Sequence, residues 1–589
     1  MLSVILPAFN EGKNIAETIK EISSFLLERH IDYEIVAVND GSRDKTEDVL
    51  KECLGKYKGL TIVTHPKNLG YGAALRSGFE KARGDLIFFT DSDRQFDIQD
   101  IVPFFEKIKE YDFVVGYRKN RQDPWHRILY AKIFRYIAWF FFGINVKDVD
   151  CAFKLFKKEI IKDANLTSEG ALINLEIFAH AKKGGFKFVQ VPVGHFPRKE
   201  GAQTGGNAKV LKKALLNLFP LWLRVYKNDL KNLSLVLLIA LFSIFLTYLL
   251  SFFAFLVFQN NFQALQDIWL RWDGYHYLTI AKSWYRNTGP DQFLIVFFPL
   301  YPLLIRIFTA MFKNDILSAL LVSNLGYIFA LIYLFKLTLI NFSKKTAFRA
   351  VLYFSLFPTA YFLHAPYTEG VFMALLISSF YYARKEKWAT ACLITALTTA
   401  TRLTGLALLP ALLLEYLQQR KFRIKRDILW FLATPLGFIY YLYLNFSVYG
   451  NPLAFKTIMT EHWFKKFSWP WYSIKETAKG FSNWSWSGKV MISGAEIFFI
   501  LLALLILIAG IRKLRPSYSL FGFLTLFMIT STSFSLSTPR YALTIFPIFI
   551  ALAFLFEKKN EIFNAIILTI FAAFYTLFLS VFAQGYWTF

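Results

Sequence analysis

The chain reads as a water-soluble α/β domain with a mostly parallel sheet, residues 1–225, followed by an all-α domain of many membrane spans, residues 233–589. Three observations predict this. At 589 residues the chain exceeds one compact domain. Its first part alternates short apolar strands with helix-patterned segments, the rhythm of βαβ units. From Leu233 onward it is a series of long apolar runs, and stretches of roughly 18 or more such residues read as membrane spans. Hydrophobic residues reach 55% and mean hydropathy +0.38, both high for a soluble protein.

In the first domain, strands are expected at Ser3–Leu6, Tyr33–Val38, Leu60–Thr64 and Asp85–Thr90. Helices are expected at Lys13–Glu28, Lys45–Leu54 and Gly72–Lys81. Ligands of such sheets bind at the carboxyl ends of the strands. The polar turns Asn10-Glu11, Asn39-Asp40-Gly41-Ser42 and Asp91-Ser92-Asp93 all fall there. Trp125–Ile144 mixes Arg and Lys with many aromatic residues and is too charged to span. It reads as a helix lying in the lipid headgroup layer, the alternative being an amphipathic core helix.

The start, Met1-Leu2-Ser3-Val4-Ile5-Leu6-Pro7, lacks the basic first segment of a signal peptide, so the first domain is expected in the cytoplasm. The positive-inside rule threads the rest. Leu233–Phe258 crosses outward and leaves Gln259–Gln292 outside. Val296–Phe312, broken by Pro299 and Pro302, reads as re-entrant or interfacial, and Ile316–Ile340 returns inward. The basic turns at 344–349, 384–387, 420–426, 512–515 and 558–559 then lie inside. About 11 spans result, with the C-terminus outside. The net charge of +25 fits both basic cytoplasmic loops and attraction to anionic lipids and phosphate substrates. No nucleic-acid module is present. Cys53, Cys151 and Cys392 lack metal-ligand spacing and read as packing residues.

Asp91 and Asp93, on a turn after a buried strand, suit a divalent cation bound against a diphosphate, and Gln95 can add a carbonyl ligand. Pro7-Ala8-Phe9-Asn10-Glu11, Val38-Asn39-Asp40-Gly41-Ser42 and Asn68-Leu69-Gly70-Tyr71-Gly72 precede this pair. Arg198-Lys199-Glu200-Gly201 follows it. The ordered set resembles the family 2 glycosyltransferases of GT-A fold, in particular the polyprenyl-phosphate sugar synthases of the dolichol-phosphate mannose synthase type.

That resemblance implies a nucleotide pocket of Pro7, Phe9, Glu11, Val38, Asp40, Asp91, Ser92, Asp93 and Arg198. It implies a metal site, Mg2+ or Mn2+, at Asp91, Asp93 and Gln95, with Asp93 catalytic. Arg118, Arg127 and Arg198 would meet phosphates of donor or lipid. Asn39 departs from the pattern where many relatives carry Asp. A polyprenyl phosphate, with its second pKa near 6, is mostly dianionic at neutral pH and needs no strong base to attack.

Past the first span stands Arg271-Trp272-Asp273-Gly274-Tyr275-His276-Tyr277. Asp273 is either an incidental acid in an aromatic belt or a base for a sugar hydroxyl, which, unlike a phosphate, gains from losing its proton in the transition state. Phe298-Pro299-Leu300-Tyr301-Pro302, Pro366-Tyr367-Thr368-Glu369, Thr401-Arg402-Leu403-Thr404-Gly405 and Pro539-Arg540-Tyr541 favour the base. Together they resemble the GT-C mannosyltransferases that add the second mannose to GPI anchors, and their prokaryotic relatives. That resemblance implies a polyprenyl-phosphate sugar donor, no essential metal, Asp273 as catalytic base, and Arg402 and Arg540 against the leaving lipid phosphate.

The expected protein is a bifunctional glycosyltransferase of a prokaryotic plasma membrane. Its partners are a nucleotide sugar (GDP-mannose or UDP-hexose), polyprenyl or dolichyl phosphate, membrane lipids and an outer acceptor, with no nucleic acid. Its rivals are a single-activity synthase with a membrane anchor and a synthase fused to a lipid-sugar flippase.

Overall fold

The computed structural model describes all residues except 120–124, 163, 198–207, 258–264, 484–488, 558–560 and 589, and omits the side chains of 125–127, 208–215, 265, 267, 483 and 491. The chain divides into two units, Met1–Leu230 and Lys231–Phe589.

In the first unit the strands are β1 (Leu2–Ala8), β2 (Tyr33–Asn39), β3 (Leu60–Thr64), β4 (Leu86–Phe89), β5 (Phe113–Arg118), β6 (Lys154–Lys157) and β7 (Phe188–Val193). They form one mixed sheet in the order β3-β2-β1-β4-β6-β5-β7. Strand β6 runs antiparallel to both β4 and β5, and the other pairings are parallel. Leu2 pairs with Tyr33 on one side and Leu86 on the other, so β1, β2 and β4 end along one edge. Strand β1 is buried throughout, as expected of a parallel strand covered on both faces.

Helices Ile15–Glu28, Thr46–Leu54 and Tyr71–Lys81 stand close to the expected bounds. The first buries Ile15, Ile19, Ile22 and Leu26, one face at helical spacing. The third packs so close to the sheet that a Cβ on Gly78 would lie 2.3 Å from Ile5 Cγ2. Helix Trp125–Phe142 turns Phe134, Ala138 and Phe142 into the core. Its opposite face exposes Leu129, Ile133, Tyr136 and Phe140.

Glu34, on β2, is almost fully buried. It accepts hydrogen bonds from Ser3 Oγ (2.6 Å), the Arg83 backbone N–H (2.5 Å) and Arg83 Nε (2.8 Å), tying β1 and β2 to the turn before β4. Burial would raise its carboxyl, but Ser3 and Arg83 outweigh burial and hold it below its ordinary value of 4.5. A lowered carboxyl stabilises the fold above the ordinary value, and that contribution is lost as pH falls through the folded one. Glu34→Ala is therefore expected to cost about 2–3 kcal/mol at pH 7. In thermal unfolding of the full chain, the wild-type advantage should narrow as pH is taken below 4.5. An advantage that persists undiminished in acid would contradict this account.

In the second unit, five helices among the described residues are long and apolar enough to cross a membrane: Leu216–Val257 (which begins before the unit boundary), Asp315–Thr338, Arg426–Tyr449, Ile492–Gly510 and Glu561–Ala583. Leu300–Phe312, Trp388–Thr399 and Pro516–Thr530 are apolar but shorter. By length and composition five of the described helices can span, and the shorter ones fall below the roughly 20 residues of an untilted crossing, so five of the about 11 expected spans are supported. Pro299 caps the start of Leu300–Phe312, so the segment expected to be interrupted is a short helix after a 3-10 turn, Gln292–Val296. The core is rich in aromatic residues, including Tyr327, Tyr361 and Phe380. Helices Asp315–Thr338 and Glu369–Arg384 approach closely at Gly326, where a Cβ would sit 2.6 Å from the Val371 backbone nitrogen. Such contact between small residues replaces the missing hydrophobic drive inside a membrane.

Candidate active sites

In the first unit, Ser92 pins the turn after β4: its Oγ donates to the Pro7 carbonyl at 2.7 Å, and its carbonyl accepts from Thr18 Oγ1 at 3.1 Å. Asp91 and Asp93 flank it. The protein packed round Asp91, and then the Asp93 carboxylate, push the Asp91 carboxyl up to about 7, against the pull of Tyr71, Arg118 and Lys154. Two carboxylates that resist sharing a negative charge suit a cation between them. Asp93 accepts the Gln95 N–H at 3.2 Å. The Gln95 side-chain nitrogen donates to the Phe196 carbonyl at 3.1 Å, which leaves its amide oxygen as the potential ligand atom. Among the described residues no group of three or more His, Cys, Asp or Glu is placed to hold a metal. A cation on two carboxylates would thus need oxygens from its ligand, the usual habit of Mg2+ beside phosphates.

A cleft of about 640 Å3 opens beside β1–β3, lined by Phe9, Asn39, Ser42, Arg43 and His65 among others. Of the expected pocket residues, Phe9 lines it. Pro7 and Val38 are buried in the sheet. Asp40 accepts the Leu69 and Gly70 N–H groups, both at 2.9 Å, and lies 2.7 Å from His65 Nδ1, so it braces the loop that borders the cleft. Glu11 accepts from Asn14 Nδ2 at 2.8 Å at the start of the first helix. Arg118 forks onto Asp148 through Nε (2.7 Å) and Nη2 (3.0 Å). Arg198 and the Arg127 side chain lie outside the described residues.

In the second unit the fold brings together four residues from distant segments. Asp273 opens the helix Asp273–Ser283, directly after Trp272 in a left-handed conformation (φ 46°), a costly state for a bulky residue. Arg540 Nη1 donates to Asp273 Oδ2 at 3.0 Å, and Arg540 Nε lies 3.2 Å from Glu369 Oε1. Arg402 Nη1 donates to the same Glu369 oxygen and to Thr368 Oγ1 at 2.9 Å. Glu369 is fully buried, Arg540 is 8% exposed and Asp273 28%, so the cluster opens to solvent chiefly at Asp273. Aromatic faces frame the guanidiniums: Arg402 lies 4.9 Å from the Tyr541 ring and Arg540 5.3 Å from Tyr367. The result is a carboxylate at a site mouth backed by two cations. It can take a proton from a neutral hydroxyl while the arginines meet an anion.

The sequence reading missed three supporting groups. Asp148 orients Arg118. Lys154, fully buried, donates to Asn174 Oδ1 at 2.7 Å and to the Cys151 carbonyl, and burial pushes its ammonium down to about 8. Glu496, on the helix Ala495–Gly510, accepts the Ser537 and Thr538 N–H groups at 2.6 and 2.7 Å. It thereby caps the short helix Thr538–Ala542 that carries Arg540. A lone acid inside an apolar run was the available signal for Glu496.

Residues 3–164 match the family Glycosyl transferase family 2, and residues 242–425 match Mannosyltransferase (PIG-V). A dolichyl-phosphate beta-glucosyltransferase of Trichomonas vaginalis is 30% identical over 210 residues, covering 33% of this chain and 64% of that protein. The chain thus spans just under two thirds of that relative. The dodecaprenyl-phosphate galacturonate synthase of Rhizobium johnstonii is 28% identical, covering 38% of this chain and 68% of its own length. A crystal structure of Mycobacterium tuberculosis glucosyl-3-phosphoglycerate synthase with Mn2+ and UDP aligns at 17% identity and a TM-score of 0.31, over 38% of this chain and 79% of that one.

Proposed function

We propose that this glycosyltransferase, with its family 2 and PIG-V regions, performs two successive transfers. The domain 1–225, GT-A in fold, moves a hexose, read as mannose, from a nucleotide sugar (GDP-mannose or UDP-hexose) to polyprenyl or dolichyl phosphate in the cytoplasm. The domain 233–589, GT-C-like, uses a polyprenyl-phosphate sugar to glycosylate an acceptor on the outer face. One observation carries the two-site reading: each unit assembles its own carboxylate site, Asp91 with Asp93 in one and Asp273 with Glu369, Arg402 and Arg540 in the other.

In the first site the lipid phosphate attacks as a dianion, so the residues have to align and neutralise rather than deprotonate. Asp91, Asp93 and Gln95 would hold a Mg2+ or Mn2+ ion, which when bound neutralises the departing nucleoside diphosphate. Phe9 and the loop braced by Asp40 border the nucleotide, and Arg118, Arg127 and Arg198 are the proposed phosphate contacts. In the second site Asp273 takes the acceptor hydroxyl proton. Arg402 and Arg540 receive the charge that develops on the lipid phosphate as the sugar leaves it. Purified protein offered a panel of nucleotide sugars and polyprenyl phosphate should yield one sugar-charged lipid by mass spectrometry. A panel that yields none would remove the synthase reading.

The chain is read with about 11 crossings, five by the long helices and the rest by shorter ones. The exposed apolar face of Trp125–Phe142 supports its placement in the headgroup layer. Ion pairs collect the basic turns: Arg384 and Arg515 meet the buried Glu415, and Arg349 meets the exposed Glu561, which supports one cytoplasmic end for them. A cysteine placed beside Asp273 should react with an impermeant thiol reagent added outside, and one beside Lys421 should not. The reverse pattern would overturn the threading.

A further inference from the structure

We propose that Glu369 is a positioning residue that takes Arg540 off Asp273 once a lipid phosphate is bound, and so frees the base. The inference rests on the reading of Asp273 as that base. Its ground is an unmade hydrogen-bond pair inside the cluster. Arg540 Nε stands 3.2 Å from Glu369 Oε1 but is out of line for a hydrogen bond, and no other described group pairs with it. Glu369 Oε2, in a carboxylate with no exposed surface, also lacks a partner among the described residues. A buried donor and a buried acceptor thus sit side by side unsatisfied, which native structures seldom tolerate without a reason.

The geometry names the reason. A guanidinium matches a carboxylate best through two parallel N–H groups. Arg540 cannot offer that fork while its Nη1 is tied to Asp273 Oδ2 at 3.0 Å, its Nη2 donates to the Tyr541 hydroxyl at 3.4 Å and Glu369 Oε1 is already occupied by Arg402. The cluster holds two cations and two anions, so a phosphate adds an anion and forces the arginines to redistribute. Arg402 turns to the phosphate and vacates Glu369 Oε1. Arg540 then closes Nε and Nη2 onto both Glu369 oxygens and swings Nη1 from Asp273 to the phosphate. Among the described residues, the other groups that feel the charge of Asp273 are His276 and Tyr277 on its own helix, and Tyr367 and Tyr541 opposite. None of these carries a fixed positive charge to replace Arg540. Asp273 is left as the one unpaired carboxylate, at the moment a donor is in place.

The test is a cryo-electron microscopy structure of the full chain with farnesyl phosphate. Arg540 should fork onto Glu369, and Asp273 should stand beyond the roughly 3.5 Å reach of a hydrogen bond from it. Arg540 still on Asp273, or phosphate seated away from Arg402, overturns the proposal. A second arm follows transfer of label from polyprenyl-phosphate [3H]mannose to endogenous acceptor in native membranes. Glu369→Gln, which cannot accept the fork, should lower kcat roughly 100-fold with KM for the lipid changed less than about threefold. A raised KM with kcat preserved would mean that Glu369 only supports phosphate binding, and would sink the release. Asp273→Asn measured alongside separates the two readings: if it is inactive while Glu369→Gln keeps its kcat, only the release mechanism falls. If Asp273→Asn transfers at the wild-type rate, the base assignment falls and the release with it.

Discussion

Asp273→Asn is expected to cut transfer to the outer acceptor by roughly 100-fold or more while lipid charging continues at the wild-type rate. Asparagine keeps the size of aspartate and an oxygen for Arg540 Nη1, so the surrounding cluster stays assembled. What it loses is the ability to take a proton. The substrate of the first site would keep forming and the consumer of its product would stall, so the charged lipid should accumulate in membranes, measurable by mass spectrometry. Unchanged outer transfer would strip the membrane unit of its base. Loss of both activities together would point instead to a damaged fold.

Asp93→Ala is expected to abolish sugar transfer to polyprenyl phosphate, and excess EDTA should do the same to the wild type. Burial, and after it the repulsion of the Asp93 carboxylate, pushes the Asp91 carboxyl up to about 7. Removing Asp93 therefore relieves the metal-free fold, and thermal stability without added cation should not fall. Lost activity combined with retained stability marks a catalytic defect. Full lipid charging in excess EDTA would defeat the metal assignment outright.

Four of the seven strands were legible in the sequence because β1 to β4 are mostly apolar runs closed by polar turns. Composition hid β6 and β7. Strand β6 carries Lys154 and Lys157, and Lys154 points into the core, where Asn174 and a carbonyl satisfy it. A buried lysine with local partners breaks every pattern that reads burial from hydropathy. Strand β7 contains Pro192, which the sheet tolerates because β7 lies at its edge.

The membrane cluster was legible residue by residue, since acids and arginines inside apolar runs are costly without a purpose. The pairing was not. Nothing local says that Arg540 reaches Asp273, which is 267 positions away. Nor does the sequence show that Arg118 is already forked onto Asp148, or that Asp40 braces a loop through two backbone N–H groups.

The placement of β6 between β4 and β5 also sets a timetable for synthesis. Strand β4 can pair with β1 as soon as it leaves the ribosome, but its other neighbour is β6, made after β5. At roughly 5–20 residues per second, the stretch from Phe89 to Lys154 takes several seconds to emerge. Through that interval Leu86-Ile87-Phe88-Phe89 offers an apolar strand with one open side, the kind of edge that recruits a neighbouring nascent chain. The segment that finally covers it is basic, Lys154-Leu155-Phe156-Lys157. Its lysines make it a poor partner for copies of itself, so the half-built sheet is closed by a strand disinclined to aggregate.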